Sequence, residues 1–136
     1  MRNCLHAYIE CMTEIRVLIV DDMERVRQDL RTYLTLTGDI MIVGEGSNGL
    51  EAVRQAETLC PQVILMDLEM PVLDGYEAAQ QIKARWPQCK VIALTVHGYE
   101  AARKKATQAG IDAFIVKGAP VETIFQMIEK GENDGH

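Results

Sequence analysis

The sequence lacks several features that would place it in a specialised class of protein. No apolar run approaches the ~20 residues that a membrane-spanning helix requires. The first 13 residues hold His6 and Glu10 between short apolar groups, so they do not look like a secretory signal peptide. We therefore expect a cytoplasmic protein that does not interact with membranes.

Paired cysteines and excess basic charge are also missing. The four cysteines form no C-x-x-C pair and have no histidine at ligand spacing, which argues against a zinc site and favours a reducing compartment. The formal net charge is −6, so non-specific binding to nucleic acid is not expected. Because repeats and low-complexity linkers are absent too, the 136-residue length predicts one domain with a single core.

Short apolar runs rich in β-branched residues predict five buried strands. These runs are residues 15–20, 40–44, 63–66, 89–94 and 113–116. Amphipathic stripes after each run predict five helices. We expect Asp22 to cap the first helix and Gly38 to close it. The fourth helix is predicted from Tyr99 to Ala109, and Pro120 opens the last. This alternation predicts an open α/β parallel sheet with helices on both faces.

Polar residues follow four of the predicted strands at the points where these strands end. They are Asp21 and Asp22, Asp67, Thr95 and Lys117. The carboxyl ends of parallel strands share one edge, which is where ligands bind on such sheets. Three neighbouring carboxylates repel one another unless a cation is present. An all-oxygen set of this kind suits Mg²⁺ better than zinc or a dedicated Ca²⁺ cage.

The same residues offer the parts that phosphoryl transfer needs. Asp67 can act as an in-line nucleophile, while Lys117 and the Thr95 hydroxyl can hold phosphoryl oxygens. The implied product is an acyl phosphate on Asp67. Taken singly, the aspartates could be helix caps, Lys117 a solvated lysine and Thr95 an ordinary strand residue. Their joint occurrence at four strand ends favours a site.

At this point residues 14–130 resemble the receiver domain of bacterial two-component response regulators. The resemblance rests on Asp21-Asp22, on Asp67-Leu68-Glu69-Met70-Pro71 followed by Asp74-Gly75, and on Thr95 and Lys117. It implies a flavodoxin-like sheet with strand order 2-1-3-4-5. Residues 1–13 are then expected to be a poorly ordered extension, and residues 131–136 a C-terminal tail.

The resemblance assigns a role to each acidic residue. Asp67 would accept a phosphoryl group from a histidine kinase or a histidine phosphotransfer protein. Asp22, Asp67 and the backbone carbonyl of Glu69 would bind Mg²⁺, with Mn²⁺ as an alternative. Asp21 would act mainly through water. The chain would thus have no external substrate, and would catalyse its own phosphorylation and slow dephosphorylation.

The resemblance also implies a switch. Thr95 and Lys117 would hold the phosphoryl oxygens, and Phe114 occupies the position where ring rotation is coupled to movement of Thr95. Simple core packing explains a strand phenylalanine equally well. The changing face would comprise the fourth helix, fifth strand and fifth helix, and it could also form a homodimer. Its candidate residues are Tyr99, Lys104, Lys105, Val121 and Phe125, for which a solvated charged surface is the competing interpretation.

Some positions depart from the family pattern. Gly118 follows Lys117 where the family usually has proline, and a cis bond before a non-proline residue costs ~3 kcal/mol, which puts a cis bond in doubt. Val96 stands where alanine is common; we expect it to narrow the approach of water. Glu69 would add negative charge, so both residues would slow dephosphorylation. His97 is expected to be a surface residue.

Three other functions were weighed. A haloacid-dehalogenase-like phosphatase would carry D-x-D after the first strand, whereas this chain has Asp21-Asp22 there and no cap domain. A phosphorylation-independent binding module would have lost an acceptor, metal or lysine residue, and none is lost. The third alternative is the receiver portion of a longer DNA-binding regulator, because residues 117–120 resemble such receivers. DNA binding by this chain itself is not predicted, since only residues 131–136 follow the last helix.

Overall fold

The computed structural model describes residues 14–96 and 98–130, leaving aside the side chains of Thr37 and Lys130. The predicted extension 1–13, His97 and the tail 131–136 lie outside the described residues, so the expectations for them stay predictions. Within the described ranges, no helix is long and apolar enough to cross a membrane.

Five parallel strands form one sheet in the order β2-β1-β3-β4-β5. The strands are β1 (Ile15–Val20), β2 (Ile40–Gly46), β3 (Val63–Met66), β4 (Lys90–Thr95) and β5 (Ala113–Val116). The apolar residues of β1, β3, β4 and β5 are mostly buried on both faces, as expected for parallel strands covered by helices, whereas Met41, Ile42 and Val43 of the edge strand β2 are half-buried. The predicted strand order and α/β architecture are therefore confirmed.

Five helices cover the two faces of the sheet. They are α1 (Glu24–Leu34), α2 (Gly49–Leu59), α3 (Gly75–Arg85), α4 (Glu100–Gln108) and α5 (Val121–Lys130), with a short 3-10 turn after α1 at Thr35–Thr37. Leu34 of α1 and Ile128 of α5 pack on one face. Ala52 of α2 and Ile82 of α3 pack on the other, and Ala106 of α4 continues that layer over β4 and β5.

The structure corrects the predicted start of α1. The N-cap is Met23, and no side chain caps this helix, so the prediction that Asp22 caps it was wrong. Instead, the Met23 amide donates to Asp21 Oδ1 at 2.9 Å. The carboxylate of the buried Asp21 thus accepts the hydrogen bond from the amide just before the helix, while Asp22 remains exposed.

Other element ends shift by one or two residues. β2 continues to Gly46 because the Asp21 amide donates to the Gly46 carbonyl at 3.0 Å, which extends the pairing beyond β1. β4 runs from Lys90 to Thr95, one residue later than the predicted run 89–94. α4 is one residue shorter at each end than predicted. The predicted position of α5 directly after Pro120 is confirmed.

The order of the strands places a crevice between β1 and β3. The chain leaves β1 toward β2 on one side and returns to β3 on the other, which makes this the switch point where such sheets bind ligands. Asp21 follows β1 directly and Asp67 follows β3 directly, and the Asp67 amide donates to the Val20 carbonyl at 2.9 Å. The fold therefore brings these two carboxylates to one edge.

Candidate functional site

Three carboxylates meet at the carboxyl edge of the sheet. One oxygen of each of Asp21, Asp22 and Asp67 lies within 4.8 Å of the others. Asp21 and Asp67 are buried, with 1% and 7% of their surface exposed, whereas Asp22 is exposed. The acidic cluster therefore has a buried floor and opens to solvent on the side of Asp22.

Lys117 reaches the same cluster from the loop after β5. Its ammonium lies 2.9 Å from Asp21 Oδ2 and 3.6 Å from Asp67 Oδ2. Its backbone amide donates to the Thr95 carbonyl at 2.6 Å, which joins the loop to the end of β4. The peptide bond to Gly118 is trans, and Gly118 has a positive φ of 100°. Four of the predicted residues, Asp21, Asp22, Asp67 and Lys117, are thus brought together.

The electrostatics of this cluster favour a second positive charge. Burial raises the pKa of Asp67, Lys117 opposes this, and Asp21 raises the pKa further. The Glu69 amide lowers it and Asp22 raises it, and the net result is a raised pKa. Burial alone would lower the pKa of Lys117, but its hydrogen bond to Asp21 and the charge of Asp67 raise it overall. One lysine thus leaves the three carboxylates undercompensated.

Thr95 lies beside the cluster in the wall of a cavity. It is 2% exposed at the end of β4. The cavity has a volume of about 310 Å³, and its lining includes Thr95, Glu69, Tyr76, Tyr99 and Lys105. Thr95, at the end of β4, and Glu69, in the loop that follows Asp67, therefore line one open space.

The loop between β3 and α3 has a fixed shape. The Glu69 amide lies 3.4 Å from Asp67 Oδ1. Val72 has a φ of 71°, and the Leu73 amide donates across it to the Pro71 carbonyl at 2.8 Å, as in a γ-turn. Asp74 then caps α3 by accepting from the Glu77 amide at 2.9 Å.

Gly75 permits the close approach of α3 to this loop. A Cβ atom at Gly75 would lie 2.4 Å from the Asp67 carbonyl oxygen, closer than atoms can pack. The Gly75 amide also donates to the Leu68 carbonyl at 2.9 Å. The Asp74-Gly75 pair, a motif in the sequence, thus has a physical role: the aspartate starts the helix and the glycine lets it pack behind Asp67.

Sequence reasoning missed Arg27, which lies outside the apolar stripe of α1. Its Nη1 donates to the Asp21 carbonyl at 2.6 Å, and its Nε donates to Glu45 Oε1 at 3.2 Å. Only 17% of its side chain is exposed, against 47% for Arg31 on the same helix. Periodicity gave no signal for this difference, because both arginines lie on the polar side of the stripe.

Phe114 packs beside α4 in a small apolar cluster with Leu68, Ala93 and Ala106. The guanidinium carbon of Arg103 lies 4.8 Å from the centre of its ring. This burial agrees with core packing, and it also places the ring between β5 and α4, as a coupling role requires.

Two residues of the predicted output face are already in contact within the domain. The Lys105 ammonium lies 4.2 Å from the centre of the Tyr76 ring, so it points toward α3. Phe125 is half-buried against the core between α1 and α5. Tyr99 and Lys104 are exposed. The predicted face is therefore partly engaged in internal packing.

A flavodoxin-like sheet with an acidic cluster and a lysine at its carboxyl edge defines a class of signalling receivers. Residues 17–129 match the model of the family described as the response regulator receiver domain. The chain belongs to this family.

Relatives of known sequence and structure agree. The response regulator protein VraR of Staphylococcus aureus is 43% identical over 116 residues, which cover 85% of this chain and 56% of VraR. This chain thus spans about 56% of the length of this curated relative.

Solved structures show the same fold. A LuxR-family DNA-binding response regulator from S. aureus matches with a TM-score of 0.81 and 29% identity, over 88% of this chain and 99% of that one. A chain of the CheX–CheY–BeF₃–Mg²⁺ complex from Borrelia burgdorferi matches with a TM-score of 0.79 and 25% identity, over 86% and 88%.

Proposed function

We propose that this chain is a phosphorylation-dependent signalling switch in which Asp67 is the phosphoacceptor. The observation that carries the proposal is the cluster of Asp21, Asp22 and Asp67 with the Lys117 ammonium beside it. Phosphoryl transfer requires a positioned nucleophile and positive charge near the transferred oxygens. Membership of the receiver family supports the same assignment.

The transfer forms one bond and breaks one bond. A carboxylate oxygen of Asp67 attacks the phosphorus, and the bond between phosphorus and the donor group breaks with its electron pair staying on the donor. Lys117 and the Thr95 hydroxyl hold oxygens of the transferred group. Because Lys117 already lies between Asp21 and Asp67, its ammonium is placed for this role before the donor arrives.

The residues of the cluster fit a hard divalent cation. The donors are all oxygens, and burial and neighbouring carboxylates raise the pKa of Asp67, which is the signature of a site lacking positive charge. Mg²⁺, or Mn²⁺, would be held by Asp22, Asp67 and the Glu69 carbonyl, with Asp21 acting through water. When bound, the ion would neutralise charge on the phosphoryl oxygens. The Borrelia complex, which contains BeF₃ and Mg²⁺, supports this ligand class.

The donor in this proposal is a histidine kinase or a histidine phosphotransfer protein. Phosphorylation would shift Thr95 and Phe114 and so change the surface of α4, β5 and α5, through which a homodimer could form. The receiver unit would be residues 14–130, in the cytoplasm. A phosphatase of the dehalogenase type is disfavoured because its nucleophile belongs to a D-x-D pattern after β1, where this chain has the adjacent pair Asp21-Asp22.

A second candidate is that the chain is the receiver portion of a longer DNA-binding regulator. One relative is named a DNA-binding response regulator of the LuxR family, and VraR extends well beyond the matched part. In that case the changed face would act on an attached output domain.

Phosphorylation by acetyl phosphate tests the assignment of Asp67. The wild-type chain is incubated with acetyl phosphate and MgCl₂, and intact mass spectrometry measures the gain of one phosphoryl group. Asp67→Asn is expected to abolish the gain, and EDTA is expected to suppress it. Asp74→Asn is the matched control, because asparagine also caps a helix and Asp74 lies in the same loop. Persistent phosphorylation of Asp67→Asn would refute the proposal.

A further inference from the structure

We infer that Arg27 is a positioning residue. By binding the backbone carbonyl of Asp21, it orients the acidic pair Asp21-Asp22 at the proposed metal site. This inference rests on the proposed function, because it takes the carboxylates of Asp21, Asp22 and Asp67 to be the cation site. Arg27 bonds to the Asp21 carbonyl and to Glu45, and neither bond involves one of these three carboxylates.

Asp21 is held at four points, which come from β2, from α1, from the residue before α1 and from the loop after β5. Its amide donates to Gly46 of β2, and its Oδ1 accepts from the Met23 amide. Its Oδ2 accepts from Lys117, and its carbonyl oxygen accepts from Arg27 Nη1 at 2.6 Å. The sheet provides the partner of the Asp21 amide. The Asp21 carbonyl lies beyond the end of β1 at Val20, and its hydrogen bond comes from Arg27.

The Asp21 carbonyl belongs to the peptide group that joins Asp21 to Asp22. A peptide group is planar, so fixing the carbonyl oxygen also fixes the direction of the Asp22 amide and the position of the Asp22 Cα atom, from which the side chain starts. Asp22 is exposed, and its side chain has little surrounding packing to hold it. By its hydrogen bond to the Asp21 carbonyl, the Arg27 guanidinium therefore orients Asp22, the exposed residue of the pair.

The geometry of α1 aims Arg27 at this peptide. Arg27 lies in the first turn, and helical side chains tilt toward the N-terminus, which here is the direction of Asp21. Glu45 of β2 fixes the guanidinium from the other side, accepting from Arg27 Nε and, at 2.6 Å, from Arg31 Nε. The rigid fork of the arginine serves Glu45 and the Asp21 carbonyl together, with its donors already arranged for both.

Removal of Arg27 can weaken or tighten cation binding, and the direction of the change distinguishes a positioning role from a simple effect of its charge. Arg27 carries a positive charge, so by Coulomb's law alone its removal would tighten the binding of a cation at the cluster. Loss of a positioning contact has the opposite effect, because the carboxylates no longer share one geometry. A single measurement of cation affinity therefore separates the two explanations.

The test uses Mn²⁺ as the probe, with free ion counted by electron paramagnetic resonance. Arg27→Met, which keeps much of the aliphatic stem, is expected to weaken Mn²⁺ binding about tenfold, the usual effect of losing a contact behind a metal ligand. Arg27→Lys is expected to recover part of the loss. The matched control is Arg31→Met, which removes a cation bound to the same Glu45 and is expected to leave the affinity within about twofold.

A second readout needs no metal. In the metal-free protein, the amide resonances of Asp22 and Met23 in a ¹H–¹⁵N spectrum are expected to shift in Arg27→Met and to stay in place in Arg31→Met. If Arg27→Met does not fold, Arg27→Lys carries the test, because it keeps the positive charge and is still expected to bind Mn²⁺ more weakly than wild type.

Three outcomes would overturn the inference: unchanged or tighter Mn²⁺ binding by the Arg27 variants, equal weakening in Arg31→Met, or unmoved Asp22 and Met23 resonances. Measurements on the wild-type protein test the proposed function separately. If wild type binds no Mn²⁺ and gains no phosphoryl group, the proposed function fails. If wild type does both and Arg27→Met binds Mn²⁺ equally well, only the inference about Arg27 fails.

Discussion

The guanidinium carbon of Arg103 lies 4.8 Å from the centre of the Phe114 ring. Arg103 is exposed on α4, whereas Phe114 is buried on β5 with 8% of its surface exposed. The contact joins the helix and strand whose shared surface is the proposed output face. In the unphosphorylated protein it therefore restrains the ring whose movement the proposed switch requires.

Removing this contact is expected to destabilise the protein slightly and to favour the switched state. Arg103→Met should lower the free energy of unfolding by about 0.5–1 kcal/mol, the worth of an exposed cation–π pair. The same variant should bind beryllofluoride with Mg²⁺ more tightly, because one restraint on Phe114 is lost. Urea unfolding and a beryllofluoride titration measure the two effects. Lys104→Met is the control from the same helix, and equal effects in both variants would contradict the prediction.

Asp67 should make the metal-free protein less stable as pH rises. Its pKa is raised in the folded state, chiefly by burial, so the folded protein holds the proton more tightly than the unfolded chain. Stability from this group is fully present below the unfolded pKa of 3.8 and is lost as pH rises through the folded pKa. In EDTA, Asp67→Asn should thus be more stable than wild type at pH 7, and the difference should shrink on acidification.

Urea unfolding of both proteins between pH 3 and pH 7 checks this sign. Mg²⁺ should then stabilise wild type, by about 1.4 kcal/mol at ten times its dissociation constant, and Asp67→Asn much less. If the stability difference between Asp67→Asn and wild type instead grows toward low pH, burial and neighbouring carboxylates do not destabilise the charged form of Asp67.

Lys117 should matter for phosphoryl transfer and not for holding the cation. Lys117→Met is expected to slow phosphorylation by acetyl phosphate about 10²-fold, because a positive charge that stabilises the transferred oxygens is lost. Cation affinity should be equal or higher, since an ammonium that lies 3.6 Å from Asp67 Oδ2 no longer repels the ion. Mass spectrometry and Mn²⁺ binding measure the two properties, and parallel loss of both would indicate a disrupted site.

Val96 should lengthen the life of the phosphoryl group. It follows Thr95 directly and is 60% exposed. We therefore expect its side chain to obstruct the approach of water to Asp67. Val96→Ala is expected to shorten the half-life of the phosphorylated protein several-fold, as followed by loss of the added mass in EDTA. Leu36→Ala, an exposed apolar residue in the turn after α1, is the control. An unchanged half-life in Val96→Ala would refute the steric explanation.

Much of the fold followed from local patterns. Continuous apolar runs identified all five strands, because a strand covered on both faces buries most of its side chains; only the edge strand β2 is largely half-buried. The helix caps were harder. Asp22 was predicted to cap α1, yet Met23 is the N-cap and its amide donates to Asp21, whose carboxylate also binds Lys117. A preference for caps cannot register that a neighbouring aspartate is held in place by a partner 96 positions away in the chain.

The order of the elements follows from local sequence patterns, and so does the edge that Asp21, Asp22, Asp67, Thr95 and Lys117 share as residues that end or follow the strands. The reason is geometric: parallel strands joined by helical crossovers all end at the same edge. Which long side chains reach that edge depends on tertiary contacts. Arg27 and Arg31 look alike in the sequence and both bind Glu45 of β2, yet Arg27, which lies one turn nearer the start of α1, also binds the Asp21 carbonyl. Flexible charged side chains are placed by contacts between distant elements, and local periodicity does not encode these contacts.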